Sequence, residues 1–192
     1  MKKVGFFGGC FNPPTNVHIE LANNLIKDNI LDKVIFVPVG DYYQKQSLIS
    51  ALHRYNMLKI ACKNYENLEV ENIASMHTDK LYATDTFELI YNKYNKNVDM
   101  YLIMGSDNFV KMPQWKNYEE IKDKYNFIVI ERFKYETPCR QKNVIYYQTK
   151  QTEDMSATRI RHKLEKGEDV SEYINSEVLK YIEKNKLYKI KR

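Results

Sequence analysis

Four stretches of this chain are apolar almost without interruption, and they set the tightest limit on how it can fold. They are "KVGFFG" at 3–8, "DKVIFVPV" at 32–39, "DMYLIMG" at 99–105 and "YNFIVIER" at 125–132. A strand with one wet face alternates apolar and polar residues, whereas a run that is apolar throughout is covered on both faces. Between these runs stand segments with helical spacing. "NVHIELANNLIKDN" (16–29) carries apolar residues at 17, 21, 25 and 26, and "SALHRYNMLKIACKN" (50–64) follows with Ser50 as a plausible N-cap. "TDTFELIYNKYN" and "NYEEIKDKY" also read as helices, "LEVENI" as a short strand and "NVIYYQ" as a last strand. Strands alternating with helices predict an α/β fold with a doubly wound, mostly parallel sheet. From Ser156 onward the chain reads as helix, "SATRIRHKLEKGED" and then "NSEVLKYIEKNKL". The expected organisation is one domain over 1–192, with 156–192 as a C-terminal helical extension.

In such folds ligands bind outside the carboxyl ends of the strands, so the first strand–loop–helix draws attention. It reads "GFFGGCFNPPTNVH", residues 5–18. This is neither the GxGxxG dinucleotide fingerprint nor a P-loop. Gly8 and Gly9 allow close approach of the backbone, and Pro13-Pro14 stiffen the loop and push Asn12 away from helical angles. Thr15 and His18 lie three apart and share one face of the first turn with the helix N-terminus. A hydroxyl, an imidazole and free N–H groups make a polyphosphate site. The other reading is that Thr15 caps the helix and His18 is a half-buried surface residue.

Composition removes several classes. Of 192 residues, 30 are Lys or Arg and 25 Asp or Glu, a net charge of +5 with both signs mixed. That excess suits small anionic substrates. The basic tail "KNKLYKIKR" reads as a solvated helix end, so no nucleic-acid partner is expected. No run approaches the roughly 20 apolar residues of a membrane span, and the start "MKKVGFFGGC" does not read as a signal peptide. The expected location is the cytoplasm. Cys10, Cys62 and Cys139 are far apart, as are His18, His53, His77 and His162, so no metal-ligand cluster or disulfide framework is predicted.

The loop "GGCFNPPTNVH" resembles the (H/T)xGH signature of the nucleotidyltransferase superfamily. Further segments resemble one branch, the bacterial nicotinate-nucleotide adenylyltransferases: "RYNMLKIA", "YATDT", "IMGSDNF" with "QWKNYEEI", "MSATRIR" and "VLKYIEKNKLY". They occur in the family's order over nearly the whole chain. The resemblance implies a Rossmann-like nucleotidyltransferase fold and adenylyl transfer from ATP to nicotinate mononucleotide, giving deamido-NAD and pyrophosphate. It implies His18, Thr15 and Arg161 as catalytic groups. Gly8, Gly9, Phe11, His18, Gly105, Asp107, Ser156, Thr158 and Arg161 would bind ATP, and Lys45, Thr84, Thr86, Asp107 and Trp115 the mononucleotide. Mg²⁺ is implied, held mainly through ATP phosphates. Arg159 is expected to face solvent.

Several of these residues have a plainer reading: Ser156, Thr158 and Thr84 as helix caps, Asp107 in a helix-starting turn, Trp115 in the core. The chain departs from the family pattern at Val17, where the signature has glycine, and at "DYYQKQ", where the family has PPHK and only Lys45 corresponds. Nicotinamide mononucleotide or another phosphate acceptor, and a non-catalytic nucleotide-binding protein, are the alternatives. The sequence leaves the oligomeric state open, a homo-oligomer included.

Overall fold

A computed structural model of the chain describes residues 1–43, 47–77, 80–94, 98–115, 117–131, 142–149 and 156–188. Its strands are β1 (Lys2–Gly9), β2 (Lys33–Pro38), β3 (Leu68–Val70), β4 (Val98–Gly105), β5 (Asn126–Glu131) and β6 (Val144–Gln148). They form one sheet in the order β3-β2-β1-β4-β5-β6, parallel at every pairing. The helices are α1 (Asn16–Lys27), α2 (Ala51–Cys62), α3 (Ala83–Tyr94), α4 (Ser106–Phe109), α5 (Tyr118–Lys124), α6 (Ala157–Lys166) and α7 (Ser176–Lys184). Each apolar run of the sequence is a strand. The short α4 is the helix-starting turn that the plainer reading gives Asp107, whereas the 3₁₀ turns at Ile73–Met76 and Met112–Gln114 have no counterpart in the sequence reading, because three or four residues carry too little periodicity to read.

β1, β2, β4 and β5 are apolar along most of their length because each feeds two cores, whereas β3 carries Glu69 and gives Leu68 and Val70 to one. Phe36 of β2 and Ile103 of β4 join Leu25, Leu58, Ile160 and Val178 on one face. Val4 and Phe6 of β1 and Val129 of β5 join Phe87, Ile90 and Ile121 on the other. The α1, α2, α6 and α7 helices therefore cover one face, and α3 to α5 the other. Gly5 lets these layers close: a Cβ there would lie 2.5 Å from Leu31 Cδ1 and 2.7 Å from Ile103 Cδ1.

The strand order reverses between β1 and β4, whose paired residues include Phe7 and Ile103. The chain leaves β1 for one face and β4 for the other, which opens a crevice at their carboxyl ends. The C-terminal helices return to α1 and α2. Asn16 N–H donates to Tyr173 O at 2.8 Å, and Tyr181 Oη lies 2.9 Å from His53 Nδ1 and accepts from Asn56 Nδ2 at 3.0 Å. Among the described residues, no helix is long and apolar enough to cross a membrane.

Candidate active site

The loop from Cys10 to Thr15 is built around one ring. Phe11 takes the left-handed region, φ 45°, which opposes its side chain sterically. The ring is buried in return, edge-on to Phe7, Phe36 and His18 at centroid distances of 5.7, 5.5 and 5.3 Å. A Cβ on Gly9 would stand 3.0 Å from that ring, so this glycine leaves room for Phe11 as well as for a ligand.

Thr15 is the N-cap of α1 and is buried. Its backbone N–H donates to His18 Nδ1 at 3.1 Å, and its Oγ1 lies 2.8 Å from the same atom. An amide N–H can only donate, so Nδ1 carries a lone pair in this arrangement. The ring proton then sits on Nε2, the edge turned away from Thr15. His18 thus takes the place that Glu or Gln holds in a capping box, and the cap sets the tautomer. The plainer reading, with Thr15 capping the helix and His18 half-buried, is what the structure shows.

Ser156 is the N-cap of α6, its Oγ accepting from Arg159 N–H at 3.4 Å, and Arg159 is exposed. Arg161, one turn on, points into the protein. Its Nη1 donates to Asn12 O at 2.9 Å and its Nη2 to Thr158 Oγ1 at 3.2 Å. The α6 N-terminus, with Ser156, Thr158 and Arg161, is therefore brought to the β1–α1 loop. Gly105 and Asp107 end β4 and begin α4, on the neighbouring strand.

Thr84, Thr86 and Trp115 lie on the α3–α5 face. Thr84 lines a groove between α3 and α5 with Asp85, Asn117 and Ile121. Asp85 Oδ2 accepts from Tyr82 N–H at 2.8 Å, so Asp85 rather than Thr84 closes the helix start. The Thr86 hydroxyl is buried and donates to Tyr82 O at 3.2 Å. Trp115 is half-buried against the second core layer. Lys45 lies outside the described residues. Among the described residues, no group of three or more His, Cys, Asp or Glu is placed to hold a metal ion.

Two residues that brace this edge carry no role in the sequence reading. Arg54 is fully buried and donates to Cys10 O at 3.0 Å, Val39 O at 2.6 Å and Ile49 O at 2.9 Å. Burial pushes its pKa below the ordinary arginine value, with Asp41 acting in the opposite direction. Its signal was visible: Arg54 falls on the buried stripe of α2 with Ala51, Met57, Leu58 and Ala61. Asn12 is the second, buried where the loop meets Ser47, Arg161 and Tyr188.

A doubly wound parallel sheet, with a capped histidine after β1 and an arginine-bearing helix folded back onto that loop, defines a nucleotidyltransferase. A sequence profile for cytidylyltransferase-like proteins matches residues 6–163. A Clostridium tetani protein named "Probable nicotinate-nucleotide adenylyltransferase" is 32% identical, covering 98% of this chain and 100% of its own. The nicotinate-nucleotide adenylyltransferase of Bacillus subtilis is 30% identical over 98% and 99% of the two chains. The Plasmodium falciparum nicotinic acid mononucleotide adenylyltransferase, solved with NaAD, superposes with a TM-score of 0.81 at 21% identity, over 98% of each chain, and shows the same fold. The chain belongs to the nicotinate-nucleotide adenylyltransferase family.

Proposed function

We propose that this chain, acting as one nucleotidyltransferase domain, transfers the adenylyl group of ATP to nicotinate mononucleotide in NAD biosynthesis. A phosphate oxygen of the mononucleotide attacks the α-phosphorus of ATP. The bond from that phosphorus to the α–β bridging oxygen breaks, deamido-NAD forms and pyrophosphate leaves. The nucleophile is already an anion at neutral pH, so no strong base is needed, and positioning with charge neutralisation suffices.

The observation that carries this reading is the hydrogen bond from Thr15 N–H to His18 Nδ1. With Nδ1 accepting from Thr15 N–H, Nε2 is the donor, and a donor is what charge developing on the α-phosphate calls for. Arg161, reached from α6, supplies a planar fork for the β- and γ-phosphates. Ser156 and Thr158 add hydroxyls at the α6 N-terminus. Gly105 and Asp107 would meet the ribose and base. Thr84 and Trp115 stand on the opposite face, where the pyridine nucleotide would lie. Thr86 would contribute there by shaping the wall, since its N–H and its hydroxyl both donate to Tyr82 O.

The family's divalent cation, read here as Mg²⁺, would neutralise the triphosphate when bound. The donor set fits a cation held by phosphate oxygens and water, as Mg²⁺ commonly is.

Pyrophosphate release from ATP and Mg²⁺ tests the proposal, with nicotinate and nicotinamide mononucleotides supplied separately. Release with the acid is expected, together with a dinucleotide product. Release with the amide alone would move the substrate, and release with neither would remove the activity. His18→Ala should lower kcat by about 10²–10³ while ATP affinity changes far less. Equal losses in both would overturn the role of Nε2.

A further inference from the structure

Asn12 is the point at which three distant segments meet the phosphate loop. Its Oδ1 accepts from the Tyr188 hydroxyl at 2.9 Å and lies 3.5 Å from Ile49 N–H. Its Nδ2 donates to Ser47 O at 2.9 Å. The Ser47 carbonyl can only accept and the Ile49 amide can only donate, so the orientation of the Asn12 amide is determined. The main-chain carbonyl of the same residue accepts from Arg161 Nη1 at 2.9 Å. Among the described residues, the other hydrogen-bond partner of that guanidinium, Thr158 Oγ1, is on its own helix. Asn12 O is therefore what ties Arg161 to the β1 loop.

Backbone strain gathers at the same place. Among the described residues, the non-glycine positions with positive φ are Phe11, Asn29, Ser47, Asn117, Lys186 and Tyr188. Two are asparagines, which tolerate this region. The other four adjoin Asn12, touch it, or sit in the turn that delivers Tyr188. Each costs on the order of 1–2 kcal/mol, and such strain persists where surrounding contacts over-determine the backbone. The turn is anchored by Leu187 N–H to Ile182 O at 3.0 Å, and α7 is anchored to α2 through Tyr181. The Tyr188 hydroxyl is thus placed by the body of the protein rather than by a loose tail.

We infer that Tyr188 is a positioning residue of the adenylyl-transfer site: its hydroxyl holds Asn12, and Asn12 holds Arg161 at the phosphates. This rests on the phosphate-binding role proposed for Arg161. The C-terminal turn then belongs to the ATP site without touching ATP.

Tyr188→Phe in the full chain removes only the hydroxyl. The expected result is a fall of about tenfold in kcat/KM for ATP, with an equal weakening of ATP binding in titration calorimetry. KM for nicotinate mononucleotide should stay within twofold. Tyr147→Phe is the matched control: it removes a hydroxyl that joins β6 to Asp28 Oδ2 at the end of α1, 2.7 Å away and outside the contacts that place Tyr188, and it should leave kcat/KM for ATP unchanged. In an Arg161→Lys background Tyr188→Phe should have no further effect, because the two act through one contact.

The inference is overturned if Tyr188→Phe leaves kcat/KM for ATP within twofold of wild type, or if both substrates suffer equally. It is also overturned if Tyr147→Phe reproduces the loss, or if the effects of Tyr188→Phe and Arg161→Lys multiply. Should the wild-type chain form no dinucleotide, the proposed activity fails. The ATP titration then decides the role of Tyr188 by itself, equal affinities in wild type and Tyr188→Phe overturning it.

Discussion

Arg54→Met removes a guanidinium while keeping an unbranched side chain that can still fill most of its space. The native guanidinium is fully buried and donates to three backbone carbonyls at 2.6, 2.9 and 3.0 Å. A hydrogen bond from a charged donor contributes about 1.5–3 kcal/mol, so the three together amount to roughly 4–9 kcal/mol. Against this stands the desolvation of the cation, several kcal/mol, which the variant no longer suffers. The ion pair with Asp41 is 3.5 Å long and the carboxylate is 64% exposed, so it adds little, about 0.5 kcal/mol. The balance is a loss of about 3 kcal/mol, at the lower end of the cost of removing one partner from a buried charged set.

For a chain of this length such a loss corresponds to about 6–12 °C in melting temperature. Urea unfolding followed by far-ultraviolet circular dichroism, with the slope unchanged, reads it directly. Arg54→Lys keeps the charge but cannot span three carbonyls with one ammonium, so it should fall between methionine and wild type. Because Cys10 and Val39 follow β1 and β2, adenylyl transfer should also fall at temperatures where Arg54→Met is still folded. A loss below 1 kcal/mol for Arg54→Met, or an Arg54→Lys protein as stable as wild type, would refute the bracing role.

Thr15→Ala should cost about 1 kcal/mol of stability as a lost cap. It should reduce kcat less than tenfold, since the backbone N–H still holds Nδ1; steady-state rates as low as those of His18→Ala would show that the hydroxyl sets the ring. Gly40→Ala places a Cβ 2.5 Å from Ala74 O and against the Tyr42 ring. It should destabilise by about 2 kcal/mol or more in the same urea assay, and a neutral result would mean that the two loops part freely. Burial pushes the Cys62 thiol from its ordinary 9.0 up to about 12. The unfolded thiol ionises first, so the stability contributed by keeping it neutral is intact below pH 9 and is lost as pH rises from 9 towards 12. Between pH 8 and pH 10 that loss is about 1.4 kcal/mol. The urea midpoint of Cys62→Ala should accordingly fall less over this interval than that of wild type, and parallel falls would refute the shift.

The sheet was legible because burial on two faces leaves a local mark: Val34 to Pro38 are buried in succession, and no alternating pattern could satisfy that. His18 and Thr15 were legible as a pair because helical spacing alone brings them together. The bracing network was not, because its partners are remote in the chain. Tyr188 bonds Asn12 across 176 positions and Arg161 bonds it across 149, and neither residue type announces a carbonyl or an amide as its target. Arg54 occupies an intermediate case. Its place on the apolar stripe of α2 marks it as buried, but only the fold shows that three carbonyls at the carboxyl edge of the sheet are what make its burial tolerable.

The same network bears on the segment in which this chain departs most from its family. Asp41, which opens "DYYQKQ", and Val39 and Ser47, which flank it, are held by contacts to the site's framework. On the near side, Val39 O accepts from Arg54, and Asp41 Oδ1 accepts from Ala51 N–H at 2.6 Å. On the far side, Ser47 O accepts from Asn12 Nδ2. The anchors are thus a backbone carbonyl before the segment, another after it, and one carboxylate that caps α2. None of them depends on the identity of residues 42–46. Two of these anchors are main-chain carbonyls and the third is the Asp41 carboxylate, so replacing Tyr42 or Tyr43 removes none of the three. On the proposed reading, the anchors at Val39, Asp41 and Ser47 tie the segment that stands in place of PPHK to Arg54, to the start of α2 and to Asn12, and so to the framework that carries the ATP-binding groups.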